Sequence, residues 1–216
     1  ASSDLVVSSD FSLVEVNAHL KTGDADLSVA GNVNLTKGKL ESTSGTVRFR
    51  KITVQSGSFE FKLGRSIFSL GGYYSKTGGN LESSSTTLSL NDNTTIASNT
   101  AIEFDQLELN DLALTLADAN TDLQILSAVI VDNPNESVIT GEADLTMLSS
   151  LNISAGGVTS TGGTLSFLGG GELTGTGTID FTGSTWVTGS SLFKLGGSFV
   201  FYQTNLKLGK DTTLTS

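Results

Sequence analysis

Apolar residues along most of the chain occur in pairs separated by a single polar residue, as in Leu27-Ser28-Val29 and Val47-Arg48-Phe49. Alternation with a period of two predicts short β-strands that each bury one face. Helical spacing of apolar residues is not sustained anywhere, and the nearest approach, at 107–116, fits two short strands better. Further triplets are Val33-Asn34-Leu35, Ile52-Thr53-Val54, Phe59-Glu60-Phe61, Leu88-Ser89-Leu90, Ile102-Glu103-Phe104, Leu107-Glu108-Leu109, Leu165-Ser166-Phe167, Ile179-Asp180-Phe181, Phe199-Val200-Phe201 and Leu206-Lys207-Leu208.

These triplets recur with a short period. They begin near residues 27, 47, 68, 88, 102, 123, 145, 165, 186 and 206, so that most steps are 20 to 22 residues and one step is short. Glycine-rich pairs such as Gly71-Gly72 and Gly78-Gly79 lie between the groups, and glycine supplies the positive φ that tight corners require. The pattern predicts rungs of about 20 residues, each with two or three strands.

A longer repeat contains the short one. Shifting the chain by 118 residues places Ala25-Asp26-Leu27-Ser28 on Ala143-Asp144-Leu145-Thr146, and Ser42–Val47 on Ser160–Leu165. Near the end of the chain, Thr94–Ser98 falls on Thr212–Ser216 at the same offset. The chain is therefore divided into repeat unit one, 1–118, and an incomplete repeat unit two, 119–216, which together are expected to form one continuous solenoid.

Both periods favour an all-β fold of the right-handed parallel β-helix (solenoid) type. A single rung cannot bury its apolar face, so stability has to come from the rungs stacked on either side. The alternative is a pair of tandem β-sandwiches, because a unit of this length suits an immunoglobulin-like domain. The very short strands, the frequent glycine pairs and the lack of a linker at 116–122 argue against it.

Composition narrows the function classes. The 216 residues carry a net charge of −10, with 16% charged residues, one Pro and no Cys. The only dense basic run is Arg48, Arg50, Lys51; Arg48 and Arg50 alternate with Val47 and Phe49 and are interpreted as the solvent side of one strand. Nucleic acid is not an expected partner, because phosphate binding needs a basic stripe. Disulfides and thiolate metal sites are excluded, and no apolar run reaches the ~18 residues of a membrane-spanning helix.

Candidate chemistry is sparse, and the chain is predicted not to be an enzyme and to need no cofactor or metal. The single histidine, His19, has no nucleophile or carboxylate beside it in sequence. Two oxygen-rich groups resemble Ca²⁺ ligands in composition but lack a known calcium-loop spacing, so outward-facing carboxylates are the preferred interpretation. The groups are Asp105, Glu108, Asp111, Asp118 and Asp122, and Asp132, Asn133, Asn135 and Glu136 around Pro134, where a loop leaving the coil is expected.

Two further sets of residues suggest binding surfaces. Thr174-Gly175-Thr176-Gly177-Thr178 could belong to a flat threonine ladder of the kind that binds ice, although threonine does not recur regularly from rung to rung. The aromatic residues could line a sugar-binding groove, although packing in the core or at corners is favoured. They are Tyr73, Tyr74, Trp186 and Tyr202.

The Gly/Ser/Thr-rich rungs at 38–49 and 156–167, together with the lack of Cys, resemble the β-helical region of bacterial surface proteins such as autotransporter passengers and filamentous-haemagglutinin-like adhesins. The resemblance extends over the whole chain in style and includes no diagnostic motif. It implies a secreted or cell-surface structural and adhesive segment of a protein or fibre, which contacts a host or abiotic surface, glycans or sister molecules. A glycan- or ice-binding solenoid is the alternative, and a polysaccharide-processing enzyme is a third reading. Open rungs at both ends predict a longer array or end-to-end assembly.

Overall fold

The computed structural model describes residues 3–189, 192–196, 198–200, 205–207 and 213–215. In these ranges the chain contains no helix, and every strand pairing is parallel. The strands stack in about nine turns of roughly 21 residues, which is a β-solenoid, or β-helix. The predicted all-β parallel β-helix is confirmed, and tandem sandwiches, which are built from antiparallel sheets, are excluded. The right-handed sense of the coil stays a prediction.

The described residues form 29 strands. In chain order they are β1 (Leu5–Val7), β2 (Phe11–Leu13), β3 (His19–Gly23), β4 (Leu27–Val29), β5 (Val33–Leu35), β6 (Lys39–Ser42), β7 (Thr46–Phe49), β8 (Thr53–Gln55), β9 (Glu60–Leu63), β10 (Ile67–Lys76), β11 (Asn80–Glu82), β12 (Thr87–Ser98), β13 (Ile102–Phe104), β14 (Gln106–Glu108), β15 (Ala113–Leu116), β16 (Leu123–Ile125), β17 (Val129–Val131), β18 (Ser137–Gly141), β19 (Leu145–Met147), β20 (Leu151–Ile153), β21 (Gly157–Ser160), β22 (Thr164–Phe167), β23 (Gly171–Leu173), β24 (Thr178–Asp180), β25 (Thr185–Thr188), β26 (Leu192–Leu195), β27 (Ser198–Val200), β28 (Asn205–Lys207) and β29 (Thr213–Thr215).

Each turn has three sides, so the coil has three faces. Face one contains β1, β4, β7, the first halves of β10 and β12, β14, β17, β20, β23, β26 and β29. Face two contains β2, β5, β8, the second halves of β10 and β12, β15, β18, β21, β24 and β27, and its ladder of backbone pairing is continuous. Face three contains β3, β6, β9, β11, β13, β16, β19, β22, β25 and β28. The ladder is interrupted between β14 and β17 on face one, and between β11 and β13 on face three.

Like side chains stack in columns inside the coil, because each turn pairs in register with the next. The turns differ in length, since Leu88 pairs with Leu107 across a short turn and Thr115 pairs with Ile139 across a long one. The densest part of the core is aromatic, with the fully buried Phe68 at its centre. Most apolar surface is thus buried between turns, which is how solenoids gain their stability.

The structure explains one detail of the predicted pattern and shows that another is wrong. The step between the triplets at 88 and 102 is short because the first triplet lies on face one and the second on face three, so the chain covers only two of the three sides of a turn between them. The triplet at 52–54 has the opposite phase from the one predicted, since Thr53 is fully buried and Ile52 is 51% exposed. Thr53 points inward because it pairs with the buried Val33 and Tyr74 on the two neighbouring turns.

The long repeat does not map each face onto itself. Leu27 lies in β4 on face one, whereas its partner at the 118 offset, Leu145, lies in β19 on face three. From β4 to β19 the chain passes fifteen strands, and because β10 and β12 supply two sides each, the displacement is seventeen sides. Seventeen is one side short of six complete turns, so unit two repeats unit one rotated by one face. The unit boundaries 1–118 and 119–216 themselves stay a prediction.

Local hydrogen bonds nevertheless recur between the repeat partners. Ser66 Oγ bonds Ser42 Oγ at 2.8 Å, and the partner pair Ser184 and Ser160 has the same bond at 2.7 Å. Another bond recurs at a neighbouring corner, where a threonine N–H donates to an aspartate Oδ1, from Thr46 to Asp26 at 2.7 Å and from Thr164 to Asp144 at 2.6 Å. The repeat therefore preserves corner geometry and strand order, while the face on which each strand lies changes.

Corner glycines are required by this geometry at two repeat partners. Gly38 has a φ of +87° and Gly156 a φ of +69°, a region that side-chain-bearing residues rarely adopt. A Cβ at Gly38 would lie 2.4 Å from the Ala18 carbonyl oxygen, and one at Gly156 would lie 2.2 Å from the Glu136 carbonyl oxygen. The chain turns closely against the preceding rung at both corners, so any side chain would force the rungs apart.

Candidate functional surfaces

The outer side of face three in its first four turns is densely charged, with six charged residues at eight outward positions. The strands β3, β6, β9 and β11 present two outward columns that run from turn to turn, and we call these eight residues the charged ladder. The first column is His19, Lys39, Glu60 and Asn80, and the second column is Lys21, Glu41, Lys62 and Glu82. Alternation turns the other side chains of these strands, such as Leu40 and Phe61, into the core.

Opposite charges alternate along the ladder and form a continuous network. The distances between ammonium nitrogen and carboxylate oxygen are 3.1 Å for Lys21–Glu41, 3.0 Å for Lys39–Glu41, 3.6 Å for Lys39–Glu60, 3.0 Å for Lys62–Glu60 and 3.1 Å for Lys62–Glu82. Within the part of the chain that the structure describes, every ion pair belongs to this network. Opposite charges directly across neighbouring strands stabilise a sheet, and like charges there destabilise it.

The network shifts the titration of its members. A hydrogen bond from Lys39, together with one from Lys21, lowers the pKa of Glu41 to about 2. The pKa of Glu60 is lowered mainly by its hydrogen bond from Lys62, and the pKa of Lys62 is raised by Glu60 and Glu82. All of these side chains keep part of their surface in contact with solvent, where single ion pairs contribute little to stability.

His19 has a carboxylate neighbour that its sequence surroundings do not reveal. Its Nε2 lies 3.6 Å from Glu41 Oε2, because β3 and β6 are adjacent on face three although the two residues are distant in the chain. Glu41 already accepts from two lysines, so the carboxylate is engaged in the ladder. The His19 side chain is 47% exposed on an open strand surface, and its place in the charged ladder accounts for its surroundings.

Of the five acidic residues predicted as a group between 105 and 122, Glu108 lies in β14 and the other four lie at corners between strands. Asp105 accepts from Ser127 Oγ at 2.7 Å, and Asp118 accepts from the hydroxyl of Thr121 at 3.2 Å. Burial raises the pKa of Asp122, and the neighbouring Asp144 carboxylate raises it further. Among the described residues no group of three or more His, Cys, Asp or Glu side chains is placed to hold a metal ion.

The second oxygen-rich group is organised around one buried carboxylate, that of Glu136. Its Oε2 accepts from the backbone N–H groups of Asp132 at 3.0 Å and Asn133 at 3.4 Å, while Oε1 accepts from Asp111 N at 3.3 Å. The segment 132–136 is therefore a corner of the coil, tied to the neighbouring turn, and the expected loop leaving the coil is not present. The carboxylate closes the corner because the backbone donors there would otherwise be unpaired.

The aromatic and threonine candidates are mostly not grouped into a surface. Tyr74 and Trp186 are buried in the core, as their favoured interpretation predicts, and Tyr73 is 39% exposed on face two. Tyr202 lies outside the described residues. In the segment 174–178 only Thr178 belongs to a strand, so the Thr-x-Thr repeat is a corner rather than a rung-to-rung ladder.

One buried basic group was not anticipated. Lys76 is only 4% exposed, and its Nζ donates to Thr100 Oγ1 at 2.5 Å. It occupies the inward column of face two between Gln55 and Ser98, and burial lowers its pKa. Two-residue alternation from the buried Tyr74 could have identified the position, because Lys76 follows Tyr74 at the same phase.

Shallow grooves lie at the two interruptions of the strand ladders. The groove on face three has a volume of about 490 Å³ and contains Glu82, Ser83 and Glu103, and Ser83 Oγ bridges it by donating to Glu103 O at 2.6 Å. The groove on face one has a volume of about 430 Å³ and contains Ile130 and Glu136. Both are open surface features between consecutive turns of the coil.

Comparisons with known proteins assign no family. No protein-family model, no curated protein and no solved structure matches the chain. Across the described residues, the structure has no helix of the length and apolarity that crossing a membrane requires. The assignment that the findings support is architectural, and the chain is a β-solenoid of parallel strands.

Proposed function

We propose that this chain is a structural and adhesive segment of an extracellular surface protein or fibre, in which the rod itself is the functional part. The observation that carries the proposal is the unbroken ladder of parallel pairing on face two, which runs from β2 to β27 through every turn. A continuous ladder with a stacked core makes a stiff element of defined length, since each turn is fixed to the next by backbone bonds and by buried side chains.

The dimensions suit a spacer. About nine turns at a spacing of about 4.8 Å give a rod roughly 43 Å long. Strands lie across the rod axis, so the backbone hydrogen bonds between consecutive turns run along the axis and hold each turn to the next. The resemblance to bacterial surface β-helices supports secretion and a cell-surface location, and both belong to this proposal.

Copies of the chain, or further repeats of the same array, are the first proposed partners. The outermost described strand of face one, β1, pairs on one side only, with β4. An exposed strand edge is a ready template for another strand, so stacking end to end would continue the ladder. Host or abiotic surfaces and glycans are proposed partners of the outer faces.

Electron microscopy of the purified chain, combined with small-angle scattering, tests the rod directly. At high sodium chloride we expect single rods with the length given above, and at high protein concentration in the same salt longer rods of unchanged width. Beads coated with the protein should bind an epithelial or abiotic surface more strongly than beads coated with an unrelated β-solenoid of equal charge. A compact particle, or adhesion equal to that of the control, would contradict the proposal.

A second candidate function, a flat binding surface for glycan or ice, has one observation in its favour. Tyr73, Thr95 and Thr115 follow one another in a single outward column of face two over three successive turns, and Thr159 continues it after Ile139. An aromatic ring beside aligned hydroxyl groups is a surface on which a sugar can stack. Glycan-array binding and ice affinity of the wild type should exceed those of Thr115→Lys, and equal values would exclude this function.

A further inference from the structure

We propose that the charged ladder is a self-complementary surface through which two copies of the chain pair side by side, with their coil axes antiparallel. The partner is thus a second copy of this chain. The proposal rests on the order of charges in the ladder and does not depend on the adhesive function proposed above.

The pairing follows from a two-fold axis that lies parallel to the strands, in the plane between two facing ladders, midway between β6 and β9. Such an axis exchanges β3 with β11 and β6 with β9, and each outward column faces itself in reverse order. Every charge then meets an opposite charge. The facing pairs are Lys21 with Glu82, Glu41 with Lys62, Lys39 with Glu60, and the neutral pair His19 with Asn80. An isologous dimer requires this kind of surface, which complements itself under a two-fold rotation.

The second two-fold arrangement of the pair, with parallel coil axes, matches fewer opposite charges. A two-fold axis along the coil would place the columns opposite each other within one rung, so that Lys39 faces Glu41 and Glu60 faces Lys62. It leaves Lys21 opposite His19 and Glu82 opposite Asn80, without opposite charges. The antiparallel arrangement matches all six charges, and the geometry therefore points to it.

Charge balance makes the ladder the place where copies can approach. The ladder contains three lysines and three glutamates, so its formal charge is zero, while the whole chain carries −10. Two copies repel each other over most of their surfaces, and like-charge contacts elsewhere disfavour wrong orientations. Opposed charges across the ladder select one face and one register.

The charged residues at the two ends of the ladder are the most exposed and have the fewest ion pairs within the chain. Among the described residues, the Lys21 side chain is 60% exposed and forms an ion pair only with Glu41, and the Glu82 side chain is 52% exposed and forms an ion pair only with Lys62. These two residues face each other twice in the antiparallel pair. Four strands span only about 19 Å of the rod at the usual strand spacing, so the association is expected to be weak and salt-sensitive for a single chain.

Charge reversal at Glu41 and Lys62 tests the pairing, because reversing both residues together restores attraction between copies but breaks ion pairs within one chain. Glu41→Lys places lysines opposite Lys62 of the other copy, and Lys62→Glu places glutamates opposite Glu41. The double variant restores opposite charges between antiparallel copies. Within one chain, however, the double variant breaks four ion pairs, those that link Glu41 to its two lysines and Lys62 to its two glutamates.

Sedimentation velocity of the full chain at low and high sodium chloride gives the readout, with Glu172→Lys on face one as the matched control. We expect a wild-type dimer at low salt that dissociates at high salt, at least a tenfold weaker dimer in each single variant, and wild-type association in the double variant and the control. Thermal unfolding followed by circular dichroism confirms that each variant is folded.

Three outcomes would overturn the proposal. They are a wild-type chain that stays monomeric at low salt, a double variant that associates no better than the singles, and an association that is insensitive to salt. The double variant also separates the two symmetric arrangements, because it opposes like charges when the coil axes are parallel. Scattering separates this pairing from end-to-end stacking, since side-by-side pairing increases the cross-section of the rod and stacking increases only its length.

Discussion

The aromatic cluster around Phe68 allows a quantitative test of the stacked core. The Phe68 ring lies against Phe61 at 5.2 Å, Phe49 at 5.6 Å, Tyr74 at 5.7 Å and Phe104 at 6.3 Å between ring centroids, and these rings belong to all three faces. Replacing a buried phenylalanine with alanine costs about 3–5 kcal/mol. Phe68→Ala is therefore expected to loosen the turns on both sides of its own.

Phe59 is the matched control, because its side chain is only 1% exposed and is therefore as buried as that of Phe68. Within the described residues its ring packs against one other ring, that of Phe61, with 6.2 Å between the centroids. Each ring pair contributes about 0.5–1.5 kcal/mol beyond area burial. Phe68→Ala loses three more ring pairs than Phe59→Ala, so it should destabilise the coil by about 1.5–4.5 kcal/mol more.

Urea unfolding followed by far-ultraviolet circular dichroism measures the difference, and native-state hydrogen exchange locates it. Exchange should accelerate in β7, β9, β10 and β13 for Phe68→Ala, and mainly in β9 for Phe59→Ala. Unfolding of a solenoid can proceed by turns, so the exchange data identify the turns to which each free energy belongs. Equal losses in the two variants would refute the reasoning that ring stacking between faces supports the core.

Three further predictions concern the corners and the charged groups. Gly38→Ala should destabilise the coil more than Gly23→Ala, measured by thermal unfolding, since both have positive φ but a Cβ at Gly23 meets nothing within 4 Å. The carboxyl resonance of Glu41 should titrate with a pKa of about 2, below its unfolded value of 4.5, so the stability that this group contributes is present above pH 4.5 and is lost as the pH falls towards 2. Lys39→Met should raise the pKa of Glu41 in the same titration, and an unchanged pKa would contradict the assigned cause. The lowered pKa of Lys76 means that the unfolded chain binds the extra proton, so stability should rise as the pH approaches 10.5, and Lys76→Met should abolish that rise.

Much of the architecture could be predicted from the sequence, because in a solenoid the pattern that buries side chains is local. Alternating triplets such as Val47-Arg48-Phe49 have their predicted phase, with Val47 and Phe49 buried. The two short strands expected in 107–116 are present as β14 and β15. The phase predicted for the triplet at 52–54 was wrong, because alternation alone does not decide which residues of a strand point inward. The pairing with neighbouring turns decides it, and at this position it places a threonine in the interior.

The surfaces could not be predicted in the same way, because they depend on which residues meet across turns. Lys21 and Glu41 are far apart in sequence, and they become neighbours only when the register between β3 and β6 is set. Turn lengths vary along the coil, so an assumed constant period misplaces outward columns within a few turns. The carboxylate beside His19 and the corner role of Glu136 are hidden for the same reason.

The seventeen-side offset between the two units has a consequence for any longer array of the same kind. A side chain on one unit reappears on the next at an azimuth one third of a revolution away, and returns to its starting azimuth only after three units. A patch such as the charged ladder, if it were repeated, would therefore be displayed along three directions around the rod instead of one. Sister rods could then contact it from any side, and a bundle rather than a flat sheet would be the natural product.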